Sequence, residues 1–292
     1  GTPEDLTPVP DAPYIARYVR YDIELYNMQL VDEIEVYGYD GIVEGAQELT
    51  NFTTLEDGPN WNKAGEHNDY THDALLVYTS WSGVDESGQV KGDWKPDWFR
   101  PYLTYINRQG QAVDTMFDTF YFLALWSRYG ANFHDTSASA IPSVKKDWEW
   151  FIDKTFADGG DMDALESAAE TAAMELNDPD FYAKAILMVP IANYRVRDFG
   201  EINGENVDLS TSEGRGKVLN WYMQEVLDRF EEKNYQRVKF IGFCFVGEHG
   251  DDGDQRQVMS AFCEANDLHS FWIPYSASYG QLYYDKWGIE NM

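Results

Sequence analysis

One stretch of the chain combines the pattern of a buried strand with an acidic side chain that could do chemistry. Residues 237–246 form a mostly apolar run, too short and too interrupted by glycine for a core helix, and Glu248 follows closely. A loop rich in glycine and aspartate comes next, and a helical pattern begins at Gln255. Parallel strands of α/β enzymes present catalytic groups at their carboxyl ends in this way. Glu248 is therefore the first catalytic candidate, and the alternative is an ordinary acidic surface loop.

Glycoside hydrolysis is a reaction that such a carboxyl group can catalyse, with Glu248 as general acid and base. The reaction needs a second carboxyl, about 5 Å away for retention of configuration or about 6.5–9.5 Å away for inversion. Residues 113–117 have the pattern of a strand, and Asp118 comes directly after them. Asp118 is therefore predicted as the second carboxyl. The alternative is an aspartate that only makes hydrogen bonds at the end of a strand.

Other polar and aromatic side chains also follow predicted strands and are candidates for binding a sugar. Aromatic rings stack on the apolar faces of sugars, and an amide or imidazole can bond to their hydroxyl groups. Ordinary packing and turn capping are the alternatives for each of them. The predicted substrate-binding residues are Trp81, Asn193, Tyr194, His249 and Tyr275.

Alternating strand and helix patterns must position these groups. Strands are predicted at 73–79, 113–117, 184–190, 237–246 and 270–274, and helices at 95–107, 161–176, 216–233 and 255–266. Repeated βα units with near-continuous apolar strands indicate a parallel sheet covered by helices. No glycine-rich phosphate-binding pattern follows a strand, which disfavours a nucleotide-binding fold. The predicted fold is α/β and (β/α) TIM-barrel-like. The predicted strands are fewer than the eight of a closed barrel, so we expect missed strands or a barrel incomplete at its carboxyl terminus.

The amino-terminal part has a different character. Residues 16–23 and 30–38 alternate apolar and polar side chains, which predicts a short β pair preceding the barrel-like part. The predicted organisation is therefore a linker and β pair over 1–40, a connecting segment over 41–72, and a barrel-like catalytic domain over 73–292.

Composition limits the partners. A formal charge of −29, from 51 acidic and 22 basic residues, disfavours nucleic acid and anionic membrane surfaces. The chain contains 10 Trp, 20 Tyr and 16 Phe, which favour a neutral oligo- or polysaccharide as the partner, although a large core also uses aromatic residues. The two cysteines, Cys244 and Cys263, have the setting of buried core residues. No membrane-spanning segment, zinc motif or cofactor is predicted; oxygen ligands near Asp251 leave a bound cation as a weaker alternative.

Several phrases resemble a known family. They are Trp98–Tyr102, Phe117–Phe120, Lys146–Glu149, Met188–Pro190, Phe243–Glu248 and Phe271–Tyr275. Together they resemble the domain-of-unknown-function family 4855, found mainly in exported proteins of gut Bacteroidetes. The resemblance implies a barrel of glycoside-hydrolase type and a secreted, periplasmic or cell-surface location. The predicted β pair of residues 16–23 and 30–38 separately resembles the last strands of discoidin-type (F5/8 type C) carbohydrate-binding sandwiches.

These observations favour an enzyme, a glycoside hydrolase acting on a neutral glycan by carboxylate acid and base catalysis. The alternative from a different class is a non-catalytic glycan-binding or surface-assembly protein. Such a protein would keep the cleft and lack the second carboxylate.

Overall fold

The structure is a computed structural model. It describes residues 14–15, 44–48, 65, 68–84, 86, 91–249, 252–275, 278, 284 and 286–292. The chain divides into two compact units, residues 1–62 and 63–292. In the first unit the described strands β1 (Tyr14–Ile15) and β2 (Gln47–Glu48) pair in parallel. The β pair predicted over 16–38 lies outside the described residues, and so does the discoidin resemblance.

The second unit alternates strands and helices. Its strands are β3 (Ala74–Tyr78), β4 (Thr104–Ile106), β5 (Ala112–Thr115), β6 (Thr119–Leu123), β7 (Ala183–Val189), β8 (Glu201–Ile202), β9 (Glu205–Asn206), β10 (Val238–Phe245) and β11 (His269–Trp272). Its helices are α1 (Pro96–Leu103), α2 (Lys145–Phe156), α3 (Asp161–Glu175), α4 (Ser212–Lys233) and α5 (Gly253–Ala265). None of the helices in the described ranges has the length and apolar character needed to cross a bilayer.

The central element is a five-stranded sheet whose described strands run in the order β3, β6, β7, β10, β11. Every neighbouring pair in this sheet is parallel. Each strand therefore pairs with the sheet strand that precedes it in the chain, and helices lie in the connections. The α/β prediction is confirmed at this level.

The strands at the centre of the sheet form because both of their faces are covered. All seven residues of β7 are buried, which is the burial expected for a parallel strand packed on two sides. In β10 a bulge lies between Phe240 and Gly242. A side chain at Gly242 could not be accommodated, because its Cβ would lie 2.0 Å from the backbone oxygen of His269. Glycine thus allows β10 and β11 to approach each other.

The two faces of the sheet are packed differently. One face meets α3, α4 and α5 and contributes to a large apolar core with Phe120, Leu187 and Phe243. The other face carries a smaller cluster, formed by Ile186, Ile241, Cys244 and Phe271 with Tyr121 at its side. Both cysteines are buried, as predicted, and burial raises the pKa of each thiol to about 12.

One predicted strand exists but lies outside the central sheet. Residues 113–117 were expected in the sheet, but β5 ends at Thr115 and pairs with β4 in an antiparallel hairpin whose residues are largely exposed. The sheet strand is β6, which begins after Asp118 and is mostly buried. Asp118 therefore precedes its strand. Its carboxyl group lies at the amino edge of the sheet, opposite the edge where Glu248 lies.

Candidate active site

The loop after β10 presents Glu248 at the carboxyl edge of the sheet, with its side chain exposed. Hydrogen bonds to three consecutive backbone oxygens hold this loop in place. The indole Nε1 of Trp272 donates to Gly247 O (2.8 Å), the backbone N–H of Tyr275 donates to Glu248 O (3.1 Å), and Arg256 donates to His249 O (3.0 Å). The backbone around Glu248 is thus held by hydrogen bonds while its carboxyl group faces solvent.

Arg256 is the cation beneath this loop. It is fully buried, and its guanidinium carbon lies 4.3 Å from the ring centroid of Trp272 and 4.4 Å from that of Trp287. A guanidinium between two indoles gains cation–π attraction in place of the water it has lost. Because Trp272 and Arg256 both also bond the Glu248 loop, this stack supports the position of the carboxyl group.

The loop after β6 brings two further polar groups to the same edge. Asn132 Oδ1 accepts the backbone N–H groups of His134 (2.8 Å) and Asp135 (2.7 Å). The His134 ring packs edge-on against Trp126, with centroids 5.9 Å apart. Burial lowers the pKa of His134, while the negative charges of Asp135 and Glu248 act to raise it. The ring therefore lies within the field of both carboxylates.

Asp135 is a carboxylate held in its ionised form. Its oxygens accept the backbone N–H of Ser137 (2.7 Å) and the Ser137 hydroxyl (2.8 Å). These two bonds, with the nearby charges of His134 and Arg195, lower the pKa of Asp135. An ionised carboxylate is the form required of a nucleophile or general base.

The loop after β7 carries Asn193, which is only 3% exposed. Its Oδ1 accepts the backbone N–H of Arg195 (3.0 Å). Its Nδ2 has no hydrogen-bond partner among the described residues. The loop is fixed on the side of α5, because the backbone N–H of Ala192 donates to Gln255 Oε1 (2.8 Å).

The predicted aromatic and imidazole groups also follow strands at this edge. Tyr194 is 55% exposed and Tyr275 is 53% exposed, and the His249 ring lies 6.1 Å from the Tyr275 ring between centroids. Trp81 is half-buried after β3, with the Arg128 guanidinium 5.7 Å from its ring centroid. The sugar-binding role of these four side chains stays a prediction.

Asp118 lies elsewhere. Its carboxylate accepts from Lys184 Nζ (3.1 Å), from Thr119 Oγ1 (2.7 Å) and from the backbone N–H of His72 (3.1 Å). All of these groups belong to the amino edge, and the seven residues of β7 separate the two edges by roughly 20 Å at about 3.3 Å per residue. The structure therefore does not bring Asp118 near Glu248, and the predicted pairing of these two carboxyls is corrected.

The sequence reasoning missed His134 and Asp135. Both lie in the loop that follows β6, and a strand placed at residues 119–123 would have drawn attention to that loop. Among the residues that the structure describes, no group of three or more His, Cys, Asp or Glu side chains could hold a metal ion. Asp251, considered above as a cation ligand, lies outside them.

Comparison with known families identifies the class of this protein. The family model described as "Domain of unknown function (DUF4855)" matches residues 73–291, which include the whole five-stranded sheet. The chain belongs to this family. Comparisons with curated proteins and with solved structures find no match.

Proposed function

We propose that this protein is a glycoside hydrolase that acts on a neutral glycan with Glu248 as general acid and base. The observation that carries the proposal is the placement of Glu248. Its side chain is exposed in the loop after a parallel strand, and the backbone oxygens of residues 247, 248 and 249 all accept hydrogen bonds. Exposed aromatic rings at the same edge offer faces on which sugars can stack.

We further propose that the sheet is part of a (β/α) barrel. In a barrel each parallel strand neighbours the one before it in the chain, whereas doubly wound sheets reverse their strand order. The order β3, β6, β7, β10, β11 supports the barrel. Its inner face would then be the one that carries Ile186, Cys244 and Phe271.

The second carboxyl in this proposal is Asp135. Its lowered pKa keeps it ionised, while Glu248 would carry the proton that passes to the glycosidic oxygen as the bond to the sugar breaks. Asp135 would then attack the anomeric carbon or take a proton from the attacking water. The separation of the two carboxyls during the reaction decides between these routes.

The test is sugar release from neutral plant and host polysaccharides by the full natural gene product. Glu248→Gln removes the transferable proton and should reduce turnover about 10²–10⁴-fold, with Asp135→Asn also strongly impaired. Glu232→Gln, an exposed position on α4, is the matched control and should retain full activity. Full turnover by Glu248→Gln would reject the assignment.

A non-catalytic glycan-binding protein is the second candidate, and one observation favours it. The carboxyl predicted to partner Glu248, Asp118, bonds to groups at the opposite edge. This candidate predicts glycan binding by wild type and Glu248→Gln alike, with no sugar released by either. Either role fits a secreted, periplasmic or cell-surface location, which fractionation of cells expressing the full gene would test.

A further inference from the structure

The side-chain amide of Asn193 is oriented by its own loop. Its Oδ1 accepts the backbone N–H of Arg195 (3.0 Å), so a rotation that exchanged oxygen and nitrogen would break that bond. The Nδ2 group is consequently directed away from the loop backbone, and it lacks a partner in the described part of the chain. A buried donor without a partner has lost its bonds to water and gained none in return, which is unfavourable. Such groups are rare in folded proteins and call for an explanation.

His134 carries a second polar atom of this kind. Its Nε2 is buried and lacks a hydrogen-bond partner within the described ranges. The ring is held by its edge-on packing against Trp126 (5.9 Å) and by the bond from its backbone N–H to Asn132 Oδ1. Both orphaned atoms therefore belong to side chains whose positions other contacts already fix.

The loops that carry these two residues are joined to each other. The backbone N–H of Ile191 donates to Phe133 O (2.9 Å), and the Arg195 guanidinium donates to Ala138 O (3.1 Å) and Ala140 O (2.9 Å). The loops after β7 and β10 also begin side by side, because the backbone N–H of Val246 donates to Val189 O (3.1 Å). Asn193 and His134 thus stand on neighbouring loops of the edge where Glu248 lies.

The chemistry of the surroundings defines the ligand. An anion would be repelled by the Asp135 carboxylate, and a cation would meet the N–H groups of the Asn193 amide, which carry partial positive charge. An uncharged hydroxyl group can accept from the amide and can either donate to or accept from imidazole. A sugar ring carries several hydroxyl groups and can offer a partner to each of the two atoms.

We propose that Asn193 and His134 form the subsite that binds the hydroxyl groups of the sugar unit next to Glu248. This inference rests on the proposed function and extends it, because it assigns the recognition of one neutral, hydroxyl-bearing ring to two named side chains. Asn193 and His134 then contact the substrate, and Trp126 positions the His134 ring.

Binding of methyl glycosides of glucose, galactose, mannose and N-acetylglucosamine to the full chain tests this subsite, measured by saturation-transfer NMR. Asn193→Asp keeps the acceptor for Arg195 and removes the donor, so binding of the recognised glycoside should weaken at least tenfold. His134→Phe should do the same. His134→Gln keeps a nitrogen near the position of Nε2 and should remain within about threefold of wild type. Asn220→Asp on α4 makes the same charge change elsewhere and should bind normally.

The outcomes separate this subsite from the proposed function. Wild-type binding that persists unchanged in Asn193→Asp and His134→Phe overturns the subsite and leaves a glycan-active protein. Absence of binding to every glycoside of the panel also overturns the subsite, and sugar release by the same wild-type preparation then shows that the proposed function survives. Absence of both binding and sugar release rejects the two together.

Discussion

The two edges of the central sheet use polar side chains in opposite ways. At the amino edge the Asp118 carboxylate and the buried Lys184 ammonium pair with each other, and Lys184 also donates to Tyr70 O (3.0 Å). At the carboxyl edge Asn193 and His134 are positioned by their neighbours and still carry buried atoms without a partner in the described chain. Polar groups at the first edge are thus paired across neighbouring strands, whereas those at the second keep unused hydrogen-bonding capacity, which the proposed subsite would use.

The largest effect that separates the edges should come from Asp118→Ala. The Lys184 side chain is only 5% exposed, so loss of its partner leaves a nearly buried charge uncompensated, and the free energy of unfolding should fall by about 3 kcal/mol. Urea denaturation measures this change. Asp114→Ala in the exposed β5 strand is the control and should change stability by less than about 0.5 kcal/mol. An unchanged unfolding free energy for Asp118→Ala would show that the ion pair between Asp118 and Lys184 does not stabilise the sheet.

The second effect should be a recovery in the double variant Asp118→Ala with Lys184→Met. Removal of both charges ends the cost of an unpaired ammonium, so the double variant should be at least about 1 kcal/mol more stable than Asp118→Ala alone. A double-mutant cycle by urea denaturation, with Lys184→Met alone as the fourth corner, measures the coupling. Strictly additive losses would contradict a direct pairing of the two charges.

The third effect concerns the contribution of His134, at the carboxyl edge, to stability. His134→Phe keeps an aromatic ring against Trp126 and removes the orphaned Nε2, so stability should stay the same or rise by up to about 1 kcal/mol. Thermal and urea unfolding of the variant beside wild type give the answer. A marked loss of stability would mean that His134 serves the fold in the way that Asp118 does.

The smallest effect concerns pH. The pKa of His134 is lowered from 6.5, because burial favours the neutral ring, although Asp135 and Glu248 oppose this shift. A lowered pKa in the folded state means that the contribution to stability is present above about pH 6.5 and is lost as the pH falls through the folded-state value. From about pH 8 to about pH 5, wild type should therefore lose more stability than His134→Phe. Parallel stability curves for the two proteins would contradict this expectation.

Long apolar runs made the inner strands predictable. The strand predicted at 184–190 corresponds to β7 at Ala183–Val189, and the one predicted at 237–246 corresponds to β10 at Val238–Phe245. A strand that is buried on both faces needs apolar residues at nearly every position, so it can be recognised in the sequence as a continuous apolar run. The position of Glu248 at the end of β10 followed from the same pattern.

The features that the sequence did not predict depend on tertiary packing. Val113 and Thr115 of β5 favour a strand as the residues of β6 do, and the burial of β6 is what distinguishes the sheet strand from the exposed hairpin. Asp118 lies between them and was interpreted as the end of the wrong one. The orphaned atoms of Asn193 and His134 depend on which neighbours fold against their loops, and no local pattern encodes that.

The strand order also has a consequence for synthesis. Because each strand of the sheet pairs with the one made before it, the sheet can lengthen at one side as the chain leaves the ribosome. The loop that carries His134 is made first, the one with Asn193 second and Glu248 later. Until β10 emerges, the side of β7 that pairs with it presents unsatisfied backbone groups along an apolar strand. A pause in synthesis after β7 has left the ribosome and before β10 has done so would therefore leave an aggregation-prone strand edge exposed.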